Sequence, residues 1–453
     1  MSRWLLATLL LFALAPARDA AAVCTASEVM AGCGGTCTAS CTATACTITR
    51  TVVVTPPVAG GVCTFDFGAR QVTLGGSFGG TSKAFEIRAA KLTVLAAGSL
   101  SAIGGTGAPG GMITLTLGSG GLALMPASSA RANPLDVSGA GGGTIIVQSD
   151  GDVSLERTVT ANARTATTGG GNIMITAGNR VNGASGSITL RGRAGEGLRA
   201  ETSSNSSSKG GGSISLTANG GSIDLENSVS VVGGTFGGGS IDLTADADVT
   251  LGVPPSGVLL FLSADGFGDA GSGGSISMLA GGKIVGSAAG TGAITAVGHS
   301  ATLAGDAGGS GGTISIEAQT GPVTIGPLGN PQLAADGGSG GCGGAINLSN
   351  DTAPAAISIG APVTATGTGT DGGGGTVCLD AQGAASFTRG IDVSGGGSGG
   401  GGLDLNALGT ITTAGAVRSD GSGDGGCISF CAGALALGGP VTAIGSPDAT
   451  GGS

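Results

Sequence analysis

The stretch KGGGSISLTANGGSIDL, Lys209 to Leu225, sets glycines before an alternating apolar strand, then glycines again before a second one. The phrase returns as GGGSIDLTADADVTL (Gly237–Leu251), GGTISIEAQTGPVTI (Gly311–Ile325), GGTVCLDAQGAASF (Gly374–Phe387) and GGCISFCAGALAL (Gly425–Leu437). Alternation buries one face of each strand and leaves the other to water. Strands this short cannot stand alone, and a flat unit of three would leave open edges on both sides. Coiling the chain and stacking equivalent strands in parallel, about 4.8 Å apart, satisfies those edges.

Aligned on the first strand of each unit, the apolar centres fall at Phe85, Ile113, Ile145, Ile173, Ile214, Ile241, Ile276, Ile314, Ile346, Val377, Leu403 and Ile428. Their spacing runs from 25 to 41 residues. Second strands read VSL (Val153–Leu155), IDL (Ile223–Leu225), VTI (Val323–Ile325), ISI (Ile357–Ile359) and LAL (Leu435–Leu437). Third strands read VTA at Val159, Val363 and Val441, ITA at Ile294 and IDV at Ile391. The widest gap, after Ile173, holds GSITLRG around Ile188 without an assigned place. Glycine is expected at corners that need positive φ or close passage of a neighbouring backbone. A propeller blade would need four strands, and a transmembrane barrel strands of roughly 9–11 residues.

These phrases, GGSISLTANGGSIDL and GGTISIEAQTGPVTI above all, resemble the coils of secreted bacterial right-handed parallel β-helix proteins. The likeness is to passengers and adhesins of the filamentous-haemagglutinin type, and it covers about residues 64–453. It implies an all-β, right-handed parallel β-helix of about 12 three-strand coils. That fold hosts adhesins, polysaccharide lyases and hydrolases alike, so the resemblance implies architecture rather than activity.

Composition agrees with a folded, exported repeat protein. Glycine contributes 98 of 453 residues, yet 40% are apolar and they alternate, unlike a disordered chain. Residues 1–22 read as a signal peptide: Arg3, an apolar WLLATLLLFALA and small residues for cleavage. No later apolar run reaches the roughly 18 residues of a membrane-spanning helix. Residues 23–63 form a Cys- and Thr-rich segment expected to cap the first coil, with TITRTVVV (Thr47–Val54) as its strand. Cys24, Cys33, Cys37, Cys41, Cys46 and Cys63, and later Cys342, Cys378, Cys427 and Cys431, are expected to form disulfides of undetermined connectivity. The chain stops at DATGGS, where earlier units continue, so residues 64–453 are expected to be a helix truncated at its C-terminus.

Charge is uneven. Residues 24–210 carry 13 basic and 9 acidic groups, a net +4, whereas residues 211–453 carry 3 and 18, a net −15. Net acidity and the lack of Tyr oppose binding to DNA or single-stranded nucleic acid. A catalytic triad has a single histidine to draw on, His299, and lacks its strand-to-helix context. Asp265, Asp269, Asp306, Asp336, Asp371, Asp420, Asp424 and Asp448 recur in the glycine loops and are candidate Ca²⁺ ligands. They do not complete a calcium-solenoid motif, and turn formation is the competing role. A lyase would use Arg191 and Arg193, with Asp224 and Asp242 as nearby carboxylates, beside a loop expected at residues 192–211. Outward strand positions, among them Thr114, Thr189, Ser215, Asp242, Ser277, Ser315, Asn347, Asp404 and Ser429, read as a mixed polar face. VLLFL (Val258–Leu262) is apolar on both faces and needs a cover.

The expected function is therefore that of an exported, non-catalytic surface or matrix protein, an adhesin or rigid spacer. Its expected partners are a cell-surface or extracellular polymer, or a second copy through the open C-terminal coil. No cofactor beyond Ca²⁺ is implied. The alternative is a secreted acidic-polysaccharide lyase.

Overall fold

The computed structural model describes residues 39–54, 62–126, 133–165, 169–192, 196–202, 209–252, 260–286, 291–301, 307–326 and 332–445. The described chain is all strand, turn and bend, and winds as a parallel β-helix. The twelve expected centres occupy one continuous column, each in register with its neighbour, from Phe85↔Ile113 to Leu403↔Ile428. Cys63 extends the column by one rung below Phe85. Thirteen rungs at this spacing make a rod of about 60 Å. A second ladder runs from Ala45–Ile48 to the end of Cys427–Leu437, and a third from Val52–Val53 to Val441–Thr442. First and second strands share one 24-stranded sheet because four strands run unbroken through their corner; third strands form a separate sheet of 14.

The second and third ladders thus begin inside the segment read as a cap, and TITRTVVV is split between two strands, Ala45–Ile48 and Val52–Val53. Ala39–Cys41 lies antiparallel on Ala45–Ile48 at this end, and Cys41 is bridged to Cys46. GSITLRG also finds its place. Ile188–Leu190 is the ordinary second strand of its coil, paired with Val153–Leu155 and Ile223–Leu225. That coil is long because its corners are long, not because it holds an extra strand.

Ile, Val and Leu stack inward with their like, almost all of them fully buried. Near the N-terminal end aromatics replace them: Phe78 lies 4.7 Å from Phe65 and 5.5 Å from Phe85, ring centre to ring centre. The paired glycine before each first strand is there for close passage. The Gly239 N–H donates to the Val231 carbonyl at 2.8 Å to close the corner, and a Cβ on Gly239 would overlap the carbonyl oxygen of Gly212 one coil below. Gly274, Gly312, Gly344 and Gly375 repeat that contact in turn.

Side chains tie the corners of successive coils together. Asp152 Oδ1 accepts from Ser187 N at 2.8 Å, Ser187 Oγ from Ser222 N at 3.2 Å, Ser222 Oγ from Asp248 N at 3.3 Å, and Asp248 Oδ1 from Lys283 N at 3.0 Å. The next residue in that column is Pro322, which has no N–H to offer.

Candidate binding groove

A groove of about 760 Å³ opens on the basic, N-terminal half of the rod, where the first strands end. Its floor is a column of polar side chains in register, Arg88↔Thr116↔Gln148↔Thr176, spanning about 14 Å along the axis. Ala89, Ala90, Leu117 and Gly118 add small and apolar surface beside it.

One wall is the corner 178–186, built from the tract Asn179-Arg180-Val181-Asn182-Gly183. Asn179 and Ala184 exchange backbone hydrogen bonds of 2.7 and 3.0 Å, and Gly183 takes the turn at φ 75°. The Asn179 and Asn182 side chains accept from the N–H groups of Val181 and Ala184, both at 3.0 Å. Their amide nitrogens donate to the two oxygens of Asp150, at 2.9 and 3.2 Å. On the other side Arg180 is ion-paired with Asp246, whose second oxygen accepts from Gly220 N at 2.8 Å. The wall is thus fixed from below and above, and it presents Val181 97% exposed at its tip. That Gly220 hydrogen bond, with help from Arg180 and against the cost of burial, holds the Asp246 carboxyl below its usual range.

At the opposite end Arg88 pairs with Glu86 at 2.8 Å, and Thr116 and Thr64 donate to the same carboxylate at 3.1 and 3.3 Å. The Arg88 hydrogen bond dominates in holding Glu86 below its usual range. Both groove arginines are thereby oriented, with about half or more of each side chain still open to water. The one carboxylate among the groove's described lining residues, Asp150, has both oxygens engaged by the wall. The arrangement can offer guanidinium, amide and hydroxyl donors to an extended ligand.

The residues singled out for lyase chemistry do not converge here. Arg191 donates to Glu226 at 2.9 Å and Asp224 at 3.1 Å, an exposed cluster on the second ladder. Glu226 first, then Asp224, raises the guanidinium's pKa and so opposes service as a base. Asp242 stands on the first ladder between Ser215 and Ser277, its carboxyl pushed up by burial. Arg193 lies outside the described residues, as do Cys24, Cys33, Cys37, Asp306 and Asp448.

Three of the candidate calcium ligands, Asp265, Asp336 and Asp420, act as staples between coils. Asp265 accepts from Thr295 Oγ1 and Val297 N, both at 2.8 Å; Asp336 from Thr364 Oγ1 at 2.8 Å and Thr366 N at 2.7 Å; Asp420 from Thr442 Oγ1 at 3.0 Å and Ile444 N at 2.9 Å. In all three cases one partner is the threonine of a VTA or ITA third strand. Asp269, Asp371 and Asp424 stay in separate corners, and among the described residues no three His, Cys, Asp or Glu side chains gather in one place.

The cysteines divide. Cys41–Cys46 is a disulfide and Cys63 is disulfide-bonded as well. Cys342, Cys378, Cys427 and Cys431 are free, exposed thiols, which corrects the expectation that all ten pair. Cys427 and Cys431 point outward four residues apart on one strand, about 13 Å, and Cys378 lies two rungs, about 10 Å, below Ser429 between them. A disulfide needs Cα atoms within about 7 Å.

The sequence reading missed the groove and its wall, placing the inserted loop after residue 192; the Asn-Arg-Val-Asn-Gly tract was the available signal. It also missed a buried arginine. Arg157 is 1% exposed and donates to the carbonyls of Leu95 at 3.2 Å and Gly98 at 3.1 Å. Burial lowers its pKa, and the buried Glu196 partly offsets this.

No protein-family model matches the sequence, and no curated protein matches it either. Among solved structures, the crystal structure of the HMW1 secretion domain from Haemophilus influenzae is similar with a TM-score of 0.45 and 14% identity, over 91% of this chain and 97% of that one.

Proposed function

We propose that the chain is an exported, non-catalytic surface or matrix protein, a rigid rod that holds an extracellular polymer along its side groove. The observation that carries this reading is the in-register floor Arg88–Thr116–Gln148–Thr176 beneath a wall pinned to Asp150 and Asp246. Such a floor repeats once per coil and follows the rod axis, so it matches a linear ligand that repeats along its own length. Two arginines kept partly open select for acidic substituents on that ligand. Several rods on one surface would bind a long polymer by multivalent contact.

The test is retention and turnover measured together. The full chain would be run by affinity electrophoresis through pectate, alginate and glycosaminoglycan, while absorbance follows unsaturated products. Retardation by an acidic polymer is expected, without product, and weakened about tenfold by Arg88→Ala with Arg180→Ala. Sustained product formation would overturn the non-catalytic reading; absence of the chain from surface and extracellular fractions of its producing cells would overturn export.

A further inference from the structure

We propose that Asn182-Gly183 is a site of spontaneous deamidation, and that its conversion to a carboxylate unpins the wall of the groove. The modification follows from the geometry of the wall; its effect on ligand binding rests on the groove reading above.

The chain holds two Asn-Gly dipeptides, Asn182-Gly183 and Asn219-Gly220. Asn182 belongs to the wall and Asn219 lines the groove. Glycine after asparagine leaves the next backbone nitrogen unshielded by a Cβ, so that nitrogen can reach the side-chain carbonyl and close a five-membered succinimide. Sequence makes the two sites alike; the fold separates them.

Asn219 is 8% exposed, its Nδ2 donates to the Gly178 carbonyl at 3.0 Å, and the Gly220 N–H is held by Asp246 Oδ2 at 2.8 Å. A nitrogen that donates to a carboxylate is harder to deprotonate, and a buried, fixed amide cannot swing onto it. Asn182 and Gly183 are both exposed. The Gly183 N–H has no acceptor among the described residues, and nothing lies within 4 Å of where a Cβ on Gly183 would stand. Asn182 Oδ1 accepts from Ala184 N at 3.0 Å, two residues on. That turn folds the side chain back over the intervening Gly183 nitrogen, and the hydrogen bond polarises Cγ for attack.

The reaction balances with water alone. The Gly183 nitrogen loses its proton to solvent and bonds to Asn182 Cγ; the Cγ–Nδ2 bond breaks, and ammonia leaves with a proton returned from solvent. One water then opens the succinimide at either carbonyl, giving aspartate or its β-linked isomer. Nothing is oxidised or reduced: amide and water become carboxylate and ammonium.

The product alters the wall. Asn182 Nδ2 donates to Asp150 Oδ2 at 3.2 Å, whereas a carboxylate at 182 has no proton to give and sets a second negative charge against Asp150. Asn179 keeps its bond to Asp150 Oδ1 at 2.9 Å and Arg180 its pair with Asp246, so the corner loosens at its tip rather than melting. The β-linked isomer adds a backbone methylene between the paired Asn179 and Ala184 and loosens it further. The groove thereby ages from a donor-rich seat toward one that repels an acidic polymer.

The full chain would be kept in mildly alkaline buffer, and the amides of Asn182 and Asn219 followed by digestion and mass spectrometry. Asn182 should convert at least about tenfold faster than Asn219 and yield both acid isomers, whereas in denaturant the two should convert at like rates. Asn182→Gln, whose longer side chain closes a ring only slowly, should abolish the fast conversion. In hydrogen exchange, Asn182→Asp should speed exchange in the corner 178–186 about tenfold and leave the flanking strands as in the wild type, which also shows that the variant folds. Equal rates at both sites of the folded chain, an Asn182 that stays amide, or a corner as protected in Asn182→Asp as in the wild type would each overturn the proposal. Mass and exchange are read without a polymer, so a chain that no acidic polymer retains would sink the groove reading alone.

Discussion

Asp152, Ser187, Ser222 and Asp248 occupy one place in four successive coils, and each side chain caps the backbone N–H one coil later. Without these acceptors the corner N–H groups, partly buried at Ser222 and Asp248 and exposed at Ser187 and Lys283, would lack a partner within the chain, so the staples set how firmly one coil seats on the next. Ser222→Ala and Asp248→Ala should each lower stability by about 1 kcal/mol in denaturant titrations, while Asp248→Asn, which keeps an acceptor, should lose less than Asp248→Ala. Two other carboxylates respond to pH in opposite senses. Asp246 is held below its usual range, so its stabilising contribution is complete above the unfolded-state value and fades as pH falls through the folded one. Asp242 is pushed up by burial, so its contribution is complete in acid and fades as pH rises through the folded value. Asp246→Asn should therefore lower the midpoint at pH 7 and flatten the acid limb. Asp242→Ser, which installs the residue type of Ser215 and Ser277 on either side, should raise the midpoint at pH 7 and change little at pH 3.

At the scale of the element, the unit is a coil, and the coil was legible because inward alternation and paired glycines are local signals. Twelve centres read from Phe85 to Ile428 fall in one column for that reason. What was not legible depends on a neighbour 22 to 41 residues away, a separation that varies from coil to coil. Cys63 looked like a cap residue because nothing local marks it as the rung beneath Phe85. Asp265 and Asp336 read as turn formers or cation ligands, and neither reading reaches their partners, Thr295 and Thr364, which belong to the next coil. Arg157 is the extreme case, since the carbonyls it satisfies, Leu95 and Gly98, lie about sixty residues earlier. Removing only that side chain leaves two carbonyls and Glu196 without it. Arg157→Ala should therefore cost about 3–5 kcal/mol, measured by chemical denaturation, and Arg157→Met combined with Glu196→Leu should recover much of the loss.

Over the whole molecule, the basic half of the rod carries the groove and the acidic half carries the free thiols. The charge asymmetry was legible in the sequence, but the groove was not, because its floor takes one side chain from each of four coils. Its central property is that it exists before any ligand arrives, since wall and floor are held by hydrogen bonds and ion pairs within the chain. The most direct measurement is amide hydrogen exchange of the full chain with and without a saturating acidic polysaccharide. The expected result is protection concentrated in the corner 178–186 and in the strand ends at Thr116, Gln148 and Thr176, with the acidic half unchanged. Protection spread evenly along the rod, or confined to coils beyond Asp246, would contradict the groove as the polymer's seat.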